Sequence, residues 1–203
     1  AVAAKKAGYR VSVATRLGQH ADTIRKAGIR LIPLDLSRRY GNPLREFFSL
    51  VGLYRSERPD IVHHVAMKPL LYGSLAARLT GIPTQVNAVA GLGWLFISDS
   101  SRARLGRSLI RLILPKLLNV SGCRVIVQNP DDAILLKESG ISESRLHMIR
   151  GVGVDTDEYS FNQEPAEPVC VVLASRILWD KGVGEFVEAA RRLKESGINA
   201  RFI

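Results

Sequence analysis

The sequence predicts an α/β protein built on a doubly wound parallel sheet. Three observations carry the prediction. Short apolar runs of strand length alternate with helical patterns from one end of the chain to the other. Several helical stretches are followed by a glycine where a helix ends in left-handed backbone: Gly28, Gly81, Gly140 and Gly197. Each of these glycines opens a similar exit, GIR, GIP, GIS or GIN, leading toward the next apolar run. Such alternation lays helices on the faces of a parallel sheet.

The elements follow in order. AVAAKKAGYR begins inside a helix and feeds a strand at 11–15; a helix at 22–27 ends at Gly28 and leads to a strand at 31–34. PLREFFSLVGLYRSE predicts a helix over 43–57, followed by a strand at 61–64. The helix at 69–80 carries Gly73, Ala76 and Ala77, small residues that permit close packing on the sheet. A strand at 84–89, a helix at 102–119 and a strand at 124–128 come next, then a helix at 130–138 and a strand at 146–149. TDEYSFNQEPAEP, residues 156–168, is polar, interrupted by proline and without period, and reads as a domain linker. Beyond it, VVLA at 171–174 reads as a buried parallel strand, and Phe186, Val187, Ala190 and Leu193 recur at helical spacing over 184–195. A last strand starts at 201. The expected organisation is a first domain over 1–163, lacking its opening strand, and the truncated start of a second over 164–203.

Composition narrows the function. The 203 residues are 46% hydrophobic and 24% charged, ordinary for a globular chain. The net charge of +10 asks for an anionic partner: nucleic acid, an acidic membrane surface or a phosphorylated ligand. Cys123 and Cys170 are expected as small buried residues in a reducing compartment. No apolar run approaches the ~20 residues of a spanning helix, and no leader is expected from the opening residues. A cytoplasmic location is expected, peripheral on the inner face of the cytoplasmic membrane if the basic surface binds lipid. Aromatics are few and do not interleave with the arginines, which argues against nucleic acid.

Several stretches carry chemistry. Arg176 and Lys181 stand between a strand and a helix, where open α/β sheets bind ligands; as residues alone they read equally as an anion site or as solvated surface charges. DIVHHVAMKP puts His63 and His64 at a strand end with Lys68 beyond; either histidine is a binding group or a structural one, and the lysine an anion contact or a solvated charge. Gly91 and Gly93, after the strand at 84–89, allow close backbone approach to a ligand or make a tight turn beside Trp94 and Phe96. Gly151 and Gly153 line a cleft or turn the chain. In RARLGRSLIRLILPKLL a helical wheel sets Arg104, Arg107 and Arg111 on one face and Leu105, Leu109, Leu112 and Ile113 opposite, suited to an anionic membrane or simply to water over a core. There is no P-loop, HExxH or CxxC, and a metal site is not expected.

ASRILWDKGVGEFVEAA resembles the arginine–lysine–glycine signature that opens the second domain of family 4 retaining glycosyltransferases of the GT-B fold. RGVGVDTDEY resembles the turn before it. The stretch from Asp60 to Phe96 and VIVQNPDD resemble a bacterial branch that adds sugars to lipid-linked or polysaccharide precursors. The resemblance implies a hexosyltransferase moving a sugar from a nucleotide sugar, a UDP-sugar, to a lipid-linked or glycan acceptor, with no cofactor and no metal. It implies that Arg176 and Lys181 hold the donor diphosphate, that Gly91, Gly93, Gly151 and Gly153 form cleft loops, and that the strand-end histidines contribute to catalysis. Two positions depart from the family pattern: Ala90 stands where many relatives have histidine, and Val65 where the second histidine of an HxH falls. Residues 1–203 taken alone are expected to be inactive. The alternatives are a noncatalytic basic module binding membrane or nucleic acid, and a nucleotide-sugar epimerase of the same fold.

Overall fold

The computed structural model describes residues 1–37, 41–89, 101–151, 153–163 and 168–203, the side chains of residues 101–103, 105, 109, 110 and 180 excepted. Gly91 and Gly93 therefore lie outside the described residues, as do the side chains of Leu105 and Leu109. Two compact units emerge, Ala1–Val152 and Gly153–Ile203.

The first unit runs α1 (Val2–Lys6), β1 (Ser12–Thr15), α2 (Ala21–Lys26), β2 (Arg30–Pro33), α3 (Pro43–Glu57), β3 (Ile61–Val65), α4 (Met67–Thr80), β4 (Thr84–Val89), α5 (Ser101–Leu118), β5 (Cys123–Val127), α6 (Pro130–Glu138) and, after a 3-10 turn, β6 (Leu146–Met148). Every strand pairing is parallel. Among the described residues the strands form two sheets, β1–β2 and β3–β4–β5–β6.

Local chemistry explains the element ends. Asn42 accepts backbone N–H groups from Leu44 and Arg45 ahead of Pro43, and Asn129 accepts that of Asp132 ahead of Pro130. Both are side-chain caps with proline in the first turn. Gly81 takes the left-handed conformation that closes α4. Two apolar clusters hold the unit. One gathers Leu34, Tyr54, Val62, Ala76 and Ala77 between α3, α4 and β3. The other packs Leu70, Val89, Leu114, Leu118, Val125 and Leu136 about the four-stranded sheet. Burial of such side chains contributes about 1.5–3 kcal/mol each.

Helix α5 departs from its expected wheel. Leu114, Leu117 and Leu118 are buried, whereas Leu112 is 61% exposed. Leu112 lies about 200° around the helix from Leu114, so it joins Arg104, Arg111 and Lys116 on the exposed side, with Arg107 half-buried. No helix among the described residues is long and apolar enough to cross a membrane.

The second unit holds β7 (Val169–Val171), a 3-10 turn (Trp179–Lys181), α7 (Val183–Glu195) and β8 (Ala200–Phe202), with β7 and β8 parallel. Phe186 packs edge-on against Phe202 with ring centroids 5.7 Å apart. The strand expected at 171–174 lies earlier, and it is exposed rather than buried: Val169 at 60% and Val172 just beyond it at 62%. One helix and two strands cannot cover both faces of a sheet. Cys170 is exposed for the same reason, against expectation, while Cys123 in β5 is buried.

Candidate functional site

The sharpest feature of the first unit lies where β3 turns into α4. Neighbours on a strand point to opposite faces, and β3 alternates strictly, with Val62 and His64 buried and Ile61, His63 and Val65 exposed. The chain then turns through Ala66, whose φ of 75° and ψ of 160° are left-handed values that a side chain rarely tolerates. The Ala66 N–H donates to the Ala88 carbonyl at 3.2 Å, tying the turn to β4.

His64 is enclosed in a polar chain that crosses five elements. Its Nδ1–H donates to Asn87 Oδ1 at 2.7 Å, and its Nε2 accepts the Tyr54 hydroxyl at 2.7 Å. Ser74 donates to the same Asn87 oxygen at 3.1 Å, and the Asn87 amide donates to Cys123 Sγ at 3.3 Å. Burial lowers the His64 pKa and raises those of Tyr54 and Cys123, so all three stay neutral. Gly73 is required beside the imidazole: a Cβ there would stand 2.3 Å from His64 Nε2. With both ring nitrogens engaged and only 5% exposure, His64 has no atom to offer a ligand. His63 does, standing exposed on the other face, with partial desolvation lowering its pKa.

Lys68 is also committed inside the protein. Its Nζ lies 2.5 Å from Glu46 Oε2 and donates to the Ser37 carbonyl at 2.6 Å, while Glu46 Oε1 accepts the Ser37 N–H at 2.9 Å. Lys68 holds the buried Glu46 carboxyl below its usual pKa. The pair pins the loop after β2 to α4, which leaves the lysine charge unavailable to an outside anion.

Arg176 and Lys181 differ. Among the described residues neither side chain makes an ion pair, and both are exposed. They flank a tight run of turns: Leu178 N–H donates to the Arg176 carbonyl at 2.8 Å and Lys181 N–H to the Leu178 carbonyl at 3.0 Å. Gly182, left-handed at φ 74°, then starts α7, whose N-terminus has no side-chain cap. Gly151 and Gly153 are exposed, and the space a side chain would fill at either is open. Among the described residues no three His, Cys, Asp or Glu side chains converge on a point that could hold a metal ion.

Sequence reasoning missed Tyr54, Asn87, Glu46 and Ser37 as partners. The small residues at 73, 76 and 77 were the one signal that something bulky meets α4 closely.

Comparison with known proteins adds the following. The family model described as glycosyl transferase 4-like matches residues 1–121. The chain is 28% identical over 194 residues to the N,N'-diacetylbacillosaminyl-diphospho-undecaprenol alpha-1,3-N-acetylgalactosaminyltransferase of Campylobacter jejuni, covering 87% of this chain and 51% of that protein. It is 28% identical over 122 residues to the UDP-Gal:alpha-D-GlcNAc-diphosphoundecaprenol alpha-1,3-galactosyltransferase of Escherichia coli, covering 58% of this chain and 29% of that protein. The chain thus spans about half the length of the first of these curated relatives and under a third of the second. Among solved structures, a glycosyltransferase from Rickettsia africae superposes with a TM-score of 0.65 at 19% identity, over 96% of this chain and 52% of that one.

Proposed function

The chain belongs to the glycosyl transferase 4-like family, with a GT-B type α/β fold, and on that premise we propose that the whole protein is a retaining glycosyltransferase. It moves a hexose from a nucleotide sugar, a UDP-sugar, to a lipid-linked acceptor. The observation that carries this reading is the unpartnered cation pair, Arg176 and Lys181, at the turn into α7. When the bond from the sugar's anomeric carbon to the phosphate oxygen breaks, negative charge builds on the departing diphosphate. Two cations carried on the hydrogen-bonded turn beside it would stabilise that charge. Residues 1–163 form the acceptor side and 164–203 open the donor side. The two curated relatives, whose printed names describe diphospho-undecaprenol substrates, support a lipid-linked acceptor. Gly151 and Gly153 let the chain pass close to a ligand, and His63, the accessible histidine of the pair, is the one free to contact the acceptor.

The basic side of α5 holds the enzyme at the cytoplasmic face of an anionic membrane, where such an acceptor resides. Arg104, Arg107 and Arg111 supply the charge, and the exposed Leu112 adds apolar contact.

Replacing Arg176 or Lys181 by alanine in the whole protein tests the reading. Both are exposed turn residues, so thermal unfolding should barely move while turnover falls by about 10²–10³. Turnover within twofold of wild type would remove the pair from the mechanism.

A further inference from the structure

We propose that Trp179 is a stacking platform for the sugar ring attached to the diphosphate held by Arg176 and Lys181, an inference that rests on the reading of that pair given above. Tryptophan is mostly buried in folded proteins, yet Trp179 is 86% exposed. It is nevertheless held in place. The 3-10 turn Trp179–Lys181 fixes its backbone, with the Gly182 N–H donating to the Trp179 carbonyl at 3.2 Å. Its ring rests on Gly184 in the first turn of α7, where a Cβ would stand 2.8 Å from Cζ3 and 3.3 Å from Cε3. Gly184 has no positive φ, so its conformation does not call for glycine; the approach of the indole does. A glycine inside a helix is less favourable than alanine, and here it makes room for the ring.

The result is an aromatic surface supported on one side and open on the other, in a turn that also carries Lys181 and follows Arg176 by three residues. Its electron-rich face suits the C–H face of a pyranose, and its N–H can donate to a hydroxyl. A sugar bonded to a diphosphate sits one oxygen away from phosphorus, within the span of a turn whose next residues reach Lys181. The base of a nucleotide lies a ribose further off. The same chemistry is offered by two molecules: the donor, a nucleoside diphosphate sugar, and an acceptor whose first sugar is linked to a lipid diphosphate.

In the whole protein, the part of the fluorescence change that Trp179→Phe removes is the signal of Trp179. Titration with UDP and with UDP-galactose or UDP-N-acetylgalactosamine is followed by fluorescence, and KM for donor and acceptor is measured for Trp179→Ala and Trp179→Phe. A donor source predicts a fluorescence change with the UDP-sugar beyond that with UDP. It also predicts a donor KM raised roughly three- to tenfold by Trp179→Ala and recovered by Trp179→Phe. An acceptor source moves the acceptor KM instead, with the same recovery. Unchanged KM for both substrates in Trp179→Ala overturns the proposal, and so does an effect confined to vesicle co-sedimentation, which would make the ring a lipid anchor. Arg176→Ala separates the two readings. If it abolishes UDP binding while Trp179→Ala changes nothing, only the stacking fails; if UDP binds equally well to wild type and Arg176→Ala, the diphosphate reading fails.

Discussion

A proton added to His64 would have to displace the Tyr54 hydroxyl from Nε2, because Nδ1 already carries the hydrogen donated to Asn87. The folded state therefore resists protonation, and its pKa lies below the usual 6.5 through desolvation. The unfolded chain takes up the proton near 6.5, so stability is full above that pH and is lost as pH falls toward the folded pKa, at no more than about 1.4 kcal/mol per pH unit. Urea unfolding between pH 7.5 and 5 should show this slope, and His64→Gln should flatten it, leaving the part due to His63, which shifts in the same direction. An unchanged slope in His64→Gln would place the titration elsewhere. Glu46 acts in a different window. Its pKa is lowered by Lys68, so its contribution is full above 4.5 and is lost as pH falls through the folded value. Lys68→Met should cost about 1–3 kcal/mol at pH 7 by stranding a buried carboxylate, and the cost should shrink as the pH falls below 4.5. None of these partnerships was legible in the sequence. Tyr54, Asn87 and Glu46 lie 10 to 23 residues from their partners, and only the packing of α3, α4 and β4 brings them together.

Elements were far more legible than contacts. The helices at 43–57 and 130–138 and the strand at 84–89 coincide with α3, α6 and β4 end to end, because proline or a turn residue marks each boundary locally. The strand expected at 171–174 lies at Val169–Val171, since an apolar run shows that a strand forms but not which part of it finds a partner. Leu112 shows a similar limit: a wheel sorts residues into faces, but the core chooses which flank to cover. Two predictions belong at this level. Gly73→Ala drives a methyl into the His64 ring at the α4–β3 contact and should destabilise by roughly 1–3 kcal/mol. Pairing it with His64→Ser should recover part of that loss in a double-mutant cycle, whereas simple additivity would deny the contact. For α5, replacing Arg104, Arg107 and Arg111 together by glutamine should weaken binding to anionic vesicles by ~1 kcal/mol per cation. Co-sedimentation at low and high salt reads this out, and equal binding to neutral vesicles would refute it.

At the scale of the molecule the two units are unequal. The first has two apolar clusters, while β7 and α7 of the second contain no buried residue. Limited proteolysis of residues 1–203 should therefore cut first after about residue 153 and leave the first unit intact for longer; equal survival of both would contradict this. The net charge of +10 has a further consequence, for colloidal behaviour: like charges keep copies of residues 1–203 apart over a distance that shrinks from about 10 Å at 0.1 M salt to about 3 Å at 1 M. Salt should then act on this polypeptide as a coagulant, with light scattering climbing as ionic strength rises at fixed concentration, and scattering that stays flat up to about 1 M would deny it.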